Sequence, residues 1–203
     1  MYYRCDGGFD CKDKSDEDVC DLLLIDKGRY NKDYPPLNGG KPVNVTVNFN
    51  IESIQNIKEI DMDFNVKFTI SLEWTDGRLT FSNLNEGNFV NLASPEKIGK
   101  IWIPPLIFNN TKENFMINRD ETAGLFMNRI GKPTLPDSAS VYENLYFDGS
   151  ENILLYRKDL ELTLTCNFML QNYPFDQQTC LIEVYQYLYY FILIYSAYMI
   201  LKL

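Results

Sequence analysis

The chain has no histidine and is short of positive charge: 19 lysines and arginines stand against 28 aspartates and glutamates, a formal net charge of -9 over 203 residues. The first absence removes imidazole as general base, proton shuttle or metal ligand. The second argues against a nucleic-acid partner, whose phosphates need a basic face. Also missing are a Gly-rich phosphate loop, a nucleophile beside a base and a long helix carrying paired carboxylates, so an enzyme reading has nothing to rest on. No secretory leader is legible in Met1-Tyr2-Tyr3-Arg4-Cys5, and the chain reads as an interior piece of a longer secreted or membrane protein.

What is present points to an extracellular β-protein. Hydrophobic residues make up 45% of the chain, enough for the core of one sandwich-sized domain with a small module or tail. Five cysteines, three in the first twenty residues and two framing a later loop, indicate an oxidising compartment, and the odd count leaves one thiol unpaired. Val43, Val45, Val47, Phe49 and Ile51 alternate with polar residues, the period of a half-buried strand. A second strand is clearer: Met62, Phe64, Val66, Phe68, Ile70, Leu72 and Trp74 point one way, and Asp63, Asn65, Lys67, Thr69, Ser71 and Glu73 the other. Leu160, Leu162, Leu164 and Cys166 alternate likewise after a hairpin signal at Asp148-Gly149. Leu22-Leu23-Leu24-Ile25 ahead of Tyr34-Pro35-Pro36 reads as a short helix stopped by prolines. Asn44-Val45-Thr46 and Asn109-Asn110-Thr111 fit the glycosylation triplet.

Two stretches carry the most specific pattern. Cys166 and Cys180 enclose thirteen residues that include Tyr173-Pro174-Phe175-Asp176 and Gln178. Trp74-Thr-Asp76-Gly-Arg78-Leu79 ends the second strand, and Ile101-Trp102-Ile-Pro104 follows. Together they resemble the Cys-loop, or pentameric ligand-gated, ion channels. That resemblance covers roughly residues 21–187. It implies an immunoglobulin-like β-sandwich behind a short N-terminal helix, a Cys166–Cys180 disulfide, and a loop (Tyr173, Pro174, Phe175, Asp176, Gln178) that couples ligand binding to the gate. It also implies other channel subunits as partners in a pentamer, a small-molecule ligand, and a place at the plasma membrane on the extracellular side. The competing reading is a soluble or anchored extracellular ligand-binding or adhesion protein without channel activity.

In these channels agonist sits between two subunits in an aromatic cage, held largely by cation-π attraction. Carried over by position, the candidates here are Thr69, Ser71, Ile107, Asp159, Tyr185 and Tyr187. Thr69 and Ser71 stand where anion-channel relatives place an aromatic and an arginine, and Asp159 where glycine-type receptors carry an arginine. The resemblance therefore implies the fold and the channel without implying glycine, GABA or acetylcholine as ligand.

Residues 1–20 form a different segment. Cys5-Asp6-Gly-Gly8-Phe-Asp10-Cys11-Lys-Asp-Lys-Ser-Asp16-Glu17-Asp-Val-Cys20 is similar to the C-terminal half of an LDL-receptor class A module. The resemblance implies a Cys5–Cys20 pair and calcium held by Asp6, Asp10, Asp16 and Glu17 with the carbonyls of Tyr3 and Gly8. Three of the module's six cysteines are absent, so calcium binding is expected to be weak. At the other end, residues 188–203 are an apolar and aromatic tail. Counted from Val184 to Leu201 the run reaches the lower edge of a membrane-spanning helix. A misjoined coding sequence, a membrane anchor and a buried strand pair all remain open for it.

Overall fold

The computed structural model describes residues 21–87, 89–113, 115–117, 122–134, 145–172, 175–186 and 197–202. In chain order the strands are β1 (Leu23–Leu24), β2 (Leu37–Asn38), β3 (Lys41–Pro42), β4 (Thr46–Lys58), β5 (Asp63–Trp74), β6 (Thr80–Ser82) and β7 (Asn91–Leu92). After the one-turn helix α1 (Pro95–Ile98) come β8 (Leu106–Phe108), β9 (Phe115–Ile117), β10 (Gly124–Asn128), β11 (Tyr146–Asp148), β12 (Ile153–Thr165), β13 (Thr179–Gln186) and β14 (Ala197–Lys202). The protein is thus mainly β, as its alternating apolar pattern requires. Among the described residues no helix is long and apolar enough to cross a membrane.

The chain divides into two compact units, one made of Met1–Thr46, Leu72–Trp102 and Glu121–Tyr156, the other of Val47–Ser71, Ile103–Asp120 and Arg157–Leu203. In the first unit β1, β6 and β11 form one sheet, with Phe81 opposite both Leu23 and Phe147. The expected helix at Leu22–Ile25 is therefore replaced by a strand. Four apolar residues are too few to nucleate a helix in water, and Leu23 gains more by burial against the sheet. Trp74 and Trp102 pack edge to face at 6.1 Å, and Leu79, Leu125, Met127 and Tyr156 of the same unit are buried as well. Each such side chain contributes about 1.5–3 kcal/mol on burial.

A charged cluster closes this unit. Asp76 is fully buried and accepts bonds from Arg78 Nε (2.8 Å), Arg78 Nη2 (2.7 Å), the Arg78 amide (3.1 Å) and the Tyr30 hydroxyl (2.9 Å). Arg78 also donates to the carbonyls of Asn31 and Tyr34 and lies 4.5 Å over the Tyr30 ring. The Tyr30 oxygen accepts from the Trp102 amide at 2.9 Å. Burial, and then the negative charge of Asp76, push the Tyr30 phenol far above its ordinary 10.0. A raised phenol means the neutral form is favoured in the fold, so this stability is complete below about pH 10 and is lost as pH rises beyond it. Above pH 10 the protein should lose about 1.4 kcal/mol per pH unit relative to Tyr30→Phe. Urea midpoints of both proteins at neutral and alkaline pH check this, and parallel curves would refute it.

The Asp148-Gly149 turn does not close a hairpin. Its preceding strand β11 pairs with β6, while β12 belongs to another sheet. The turn is instead docked on backbone: the Gly149 amide donates to Leu79 O (3.0 Å) and the Asp76 amide to Gly149 O (3.0 Å). A Cβ at position 149 would run into the Asp76 and Leu79 carbonyls, which explains glycine there. Asn152, fully buried, holds the turn by accepting from the Ile130 and Gly131 amides and donating to Asp148 O.

The second unit is a sandwich. One layer is the β4-β5-β12 part of the five-stranded sheet β4-β5-β12-β10-β7, and the other is the sheet β14-β13-β8-β9. Phe49 and Phe68 from the first, 5.6 Å apart between ring centroids, meet Phe108 from the second at 6.4 and 5.9 Å, and Phe115 lies tilted 5.8 Å from Phe108. The β5 alternation holds from Phe64 to Trp74, but Met62 is exposed, not core, because it lies in the turn before the strand with φ 53°. On the outward side Asp63 and Thr69 are buried as well. Asp63 is ion-paired with Lys112.

Cys166 and Cys180 are joined in a disulfide with Cα atoms 5.5 Å apart. Beyond it β13 pairs antiparallel with β14, from Thr179 opposite Lys202 to Val184 opposite Ala197. Val184 and Leu201, the two ends of the apolar run, both lie in strands. The physical reason is the open side of β13, whose amides and carbonyls β14 takes up. Residues 1–20, Tyr173, Pro174 and 187–196 lie outside the described residues.

Candidate functional site

The outward face of β4-β5-β12 in the sandwich unit is polar because its residues are the off-beat half of each strand's alternation. Thr69, only 4% exposed, sits at its centre. Its hydroxyl donates to Asp159 Oδ1 on β12 at 2.7 Å, with Glu52 Oε1 on β4 at 3.3 Å on the other side. Two residues earlier on the same face, Lys67 Nζ is 2.7 Å from Glu52 Oε2. The Glu52 hydrogen bond and charge, followed by the Asp159 and Glu161 charges, raise the Lys67 ammonium above its ordinary value. Ser71 continues the row, half-buried. Glu52, Asp159 and Glu161 thus act on the Lys67 ammonium.

Ile107 and Tyr185 lie on the other sheet. β13 and β8 pair with Tyr185 opposite Ile107, and β8 and β9 with Ile107 opposite Met116. Their neighbours Leu106, Phe108 and Val184 fill the core, so these three make an outward apolar row. The structure therefore brings Thr69, Ser71 and Asp159 together, and Ile107 with Tyr185, but on the outward faces of two different sheets. Tyr187 lies outside the described residues, as do Asp6, Asp10, Asp16, Glu17, Tyr3, Gly8, Cys5 and Cys20. Glu52 and Lys67 were not candidates from sequence; the signal for Lys67 was its place two residues before Thr69.

The disulfide loop is the second functional feature. Gln178 spans it: Nε2 donates to Met169 O at 3.0 Å, Oε1 accepts the Met169 amide at 2.9 Å, and the same amide group bonds Asp176. One side chain so replaces a missing ladder across nine residues, the role its place in the motif left open. Asn110 ties the stems, donating to Thr165 O (3.1 Å) and Leu181 O (2.8 Å) and accepting the Glu183 amide (3.1 Å). The Cys166 amide donates to Met62 O at 2.9 Å, which binds the loop to the β4–β5 turn. Both carry exposed apolar tips: Phe175 is 93% and Met169 79% exposed in the loop, and Ile60 97% exposed in the turn. Asn44 and Asn109 are both at the surface, and Asn109 Nδ2 donates to Glu183 Oε2 at 2.9 Å.

Residues 17–191 match the family described as neurotransmitter-gated ion-channel ligand binding domain. The gamma-aminobutyric acid receptor subunit rho-2 of Homo sapiens is 29% identical over 168 residues, 83% of this chain and 31% of the relative. The glutamate-gated chloride channel of Drosophila melanogaster is 32% identical over 167 residues, 81% of this chain and 32% of the relative. The gamma-aminobutyric acid receptor subunit pi of Rattus norvegicus is 30% identical over 155 residues, 76% and 30% of the two chains. The chain spans about a third of the length of these relatives.

Proposed function

Because the chain belongs to the neurotransmitter-gated ion-channel ligand-binding domain family, we propose that it is the extracellular ligand-binding part of a pentameric channel subunit at the plasma membrane, and not an enzyme. The observation that carries the reading is the pair of exposed apolar tips, Ile60 in the β4–β5 turn and Phe175 with Met169 in the disulfide loop. Large apolar side chains left bare on linked loops are what a surface needs to press on the apolar ends of membrane helices. Ligand binding between neighbouring subunits moves this surface, and ions flow. The separation of Thr69, Ser71 and Asp159 from Ile107 and Tyr185 supports a site shared by two copies, each giving one face.

The ligand is a small molecule that needs no cation from the Thr69 face. Glutamate or gamma-aminobutyric acid, named for the relatives, would place a carboxylate against Glu52 and Asp159, with Lys67 already engaged by Glu52. A ligand with a positive or neutral group there fits the charge. Assembly is tested by joining residues 21–186 to the downstream part of the glutamate-gated chloride channel and counting copies at the cell surface by photobleaching of a fused fluorophore. Five bleaching steps are expected. Single steps would favour the soluble or anchored adhesion protein.

A further inference from the structure

The fold treats the two Asn-x-Thr triplets differently. In Asn109-Asn110-Thr111 all three side chains are tied down: Asn109 Nδ2 donates to Glu183 Oε2 at 2.9 Å, Asn110 bonds three backbone groups of the loop stems, and Thr111 Oγ1 donates to Phe108 O at 3.1 Å. Asn44-Val45-Thr46 is free of such ties. It runs from the irregular stretch after β3 into the first residue of β4, with Asn44 and Thr46 exposed on either side of half-buried Val45. Among the described residues the Asn44 side chain has no hydrogen-bond partner. Beside this triplet, in the same unit, stands an apolar hairpin. β2 and β3 pair with Leu37 opposite Pro42 and Asn38 opposite Lys41, and Gly39 and Gly40 between them take positive φ (59° and 79°), the backbone of a tight two-residue turn. A Cβ on either glycine would meet nothing within 4 Å, so the turn stands in solvent. Leu37 is 64% exposed and Tyr34, in the run Tyr34-Pro35-Pro36-Leu37, 53%.

We propose that Asn44 carries an N-linked glycan and that this glycan covers the apolar side of the β2–β3 hairpin. The donor is an oligosaccharide on a lipid pyrophosphate carrier. A bond forms between the anomeric carbon and Asn44 Nδ2, the bond from that carbon to the pyrophosphate oxygen breaks, the pyrophosphate leaves on its lipid, and the amide gives up one of its two protons. Thr46 supplies the hydroxyl that the acceptor triplet requires. A substituent on Asn44 breaks no hydrogen bond among the described residues and lies in water, where a bulky polar group is accommodated. Asn44 follows Pro42 by two residues, at most about 7 Å along the chain, so the first sugars stand next to the hairpin. There they screen Leu37 and Tyr34, large apolar groups that are open to association with another molecule. The proposal rests on the extracellular reading, because the acceptor must pass through the compartment that holds the donor.

Expression of the 203-residue chain behind a cleavable secretory leader in a eukaryotic cell tests this. Peptides are mapped after enzymatic glycan release in heavy-oxygen water, which turns each glycosylated asparagine into labelled aspartate. Label is expected at Asn44 and should be lost in T46A, which leaves the asparagine in place; N44Q removes the acceptor itself. Hydroxyl-radical footprinting of the intact glycoprotein should find Leu37 and Tyr34 protected, with the protection lost in N44Q and T46A while Phe175, in the other unit, keeps its rate. The Cys166–Cys180 bond, read in the same map, reports passage through the oxidising lumen. An unlabelled Asn44 in chains that carry this bond would overturn the proposal and leave the channel reading untouched. Equal oxidation of Leu37 and Tyr34 with and without the triplet would overturn it as well. Chains without the bond would overturn the extracellular reading, and the proposal with it.

Discussion

Replacing Cys166 and Cys180 together by alanine should lower the stability of the protein by about 3 kcal/mol, the loop-closure contribution for a ring of this length. The two residues are fourteen positions apart, and both are buried where β12 ends and β13 begins. Without the bond the stems are held by Asn110 and by the Cys166 amide on Met62 O, and the loop by the Gln178 bonds to Met169. Each of these neutral bonds contributes about 0.5–1.5 kcal/mol, so none alone replaces the covalent link. Against a total stability of about 5–15 kcal/mol the loss is large. Equilibrium urea unfolding of the double variant under non-reducing conditions measures it. A change below about 0.5 kcal/mol would mean that the strands, and not the staple, hold the loop.

Asp76→Ala should be at least as damaging, at about 3–5 kcal/mol. The carboxylate is fully buried and is the common acceptor for Arg78 and Tyr30. Removing it leaves a guanidinium, stacked on the Tyr30 ring, without its counter-charge, and a phenol without its acceptor. For a domain of this size the expected fall in melting temperature is about 6–20 °C. Asp76→Asn, which keeps the shape but not the charge, should fall between the two. By contrast Lys67→Ala breaks an exposed pair with Glu52, and such pairs contribute about 0–1 kcal/mol. Equal melting points for the Asp76 and Lys67 variants would show that the buried cluster is dispensable.

Much of this was legible before any coordinates. The alternation from Phe64 to Trp74 put the core face of β5 where it lies, because a strand's period of two leaves no other register. Trp74-Thr-Asp76-Gly-Arg78-Leu79 was informative through its resemblance to the channel motif, and the structure buries Trp74 and pairs Asp76 with Arg78 there. What alternation could not show is cross-strand closure. Thr69 counts as outward by period, yet Asp159 and Glu52 cover it from strands 90 and 17 residues away. The same holds for β11, which pairs with β6 sixty-odd residues earlier and not with the strand after its turn. Leu22–Ile25 misled because four apolar residues carry no period at all. The tail was left open for a related reason: an unbroken apolar run reads alike as helix or strand, and Ala197–Lys202 pairs with β13 as a strand.

The central claim is that the linked tips at Ile60 and Phe175 transmit ligand binding to a pore. The most direct measurement is whole-cell current from residues 21–186 joined to the pore of the glutamate-gated chloride channel, screened with small amines and amino acids. The account predicts a ligand-evoked current that disappears in Ile60→Ser/Phe175→Ser while surface expression is retained. An unchanged current in that variant, or a surface-expressed pentamer that no compound opens, would contradict it.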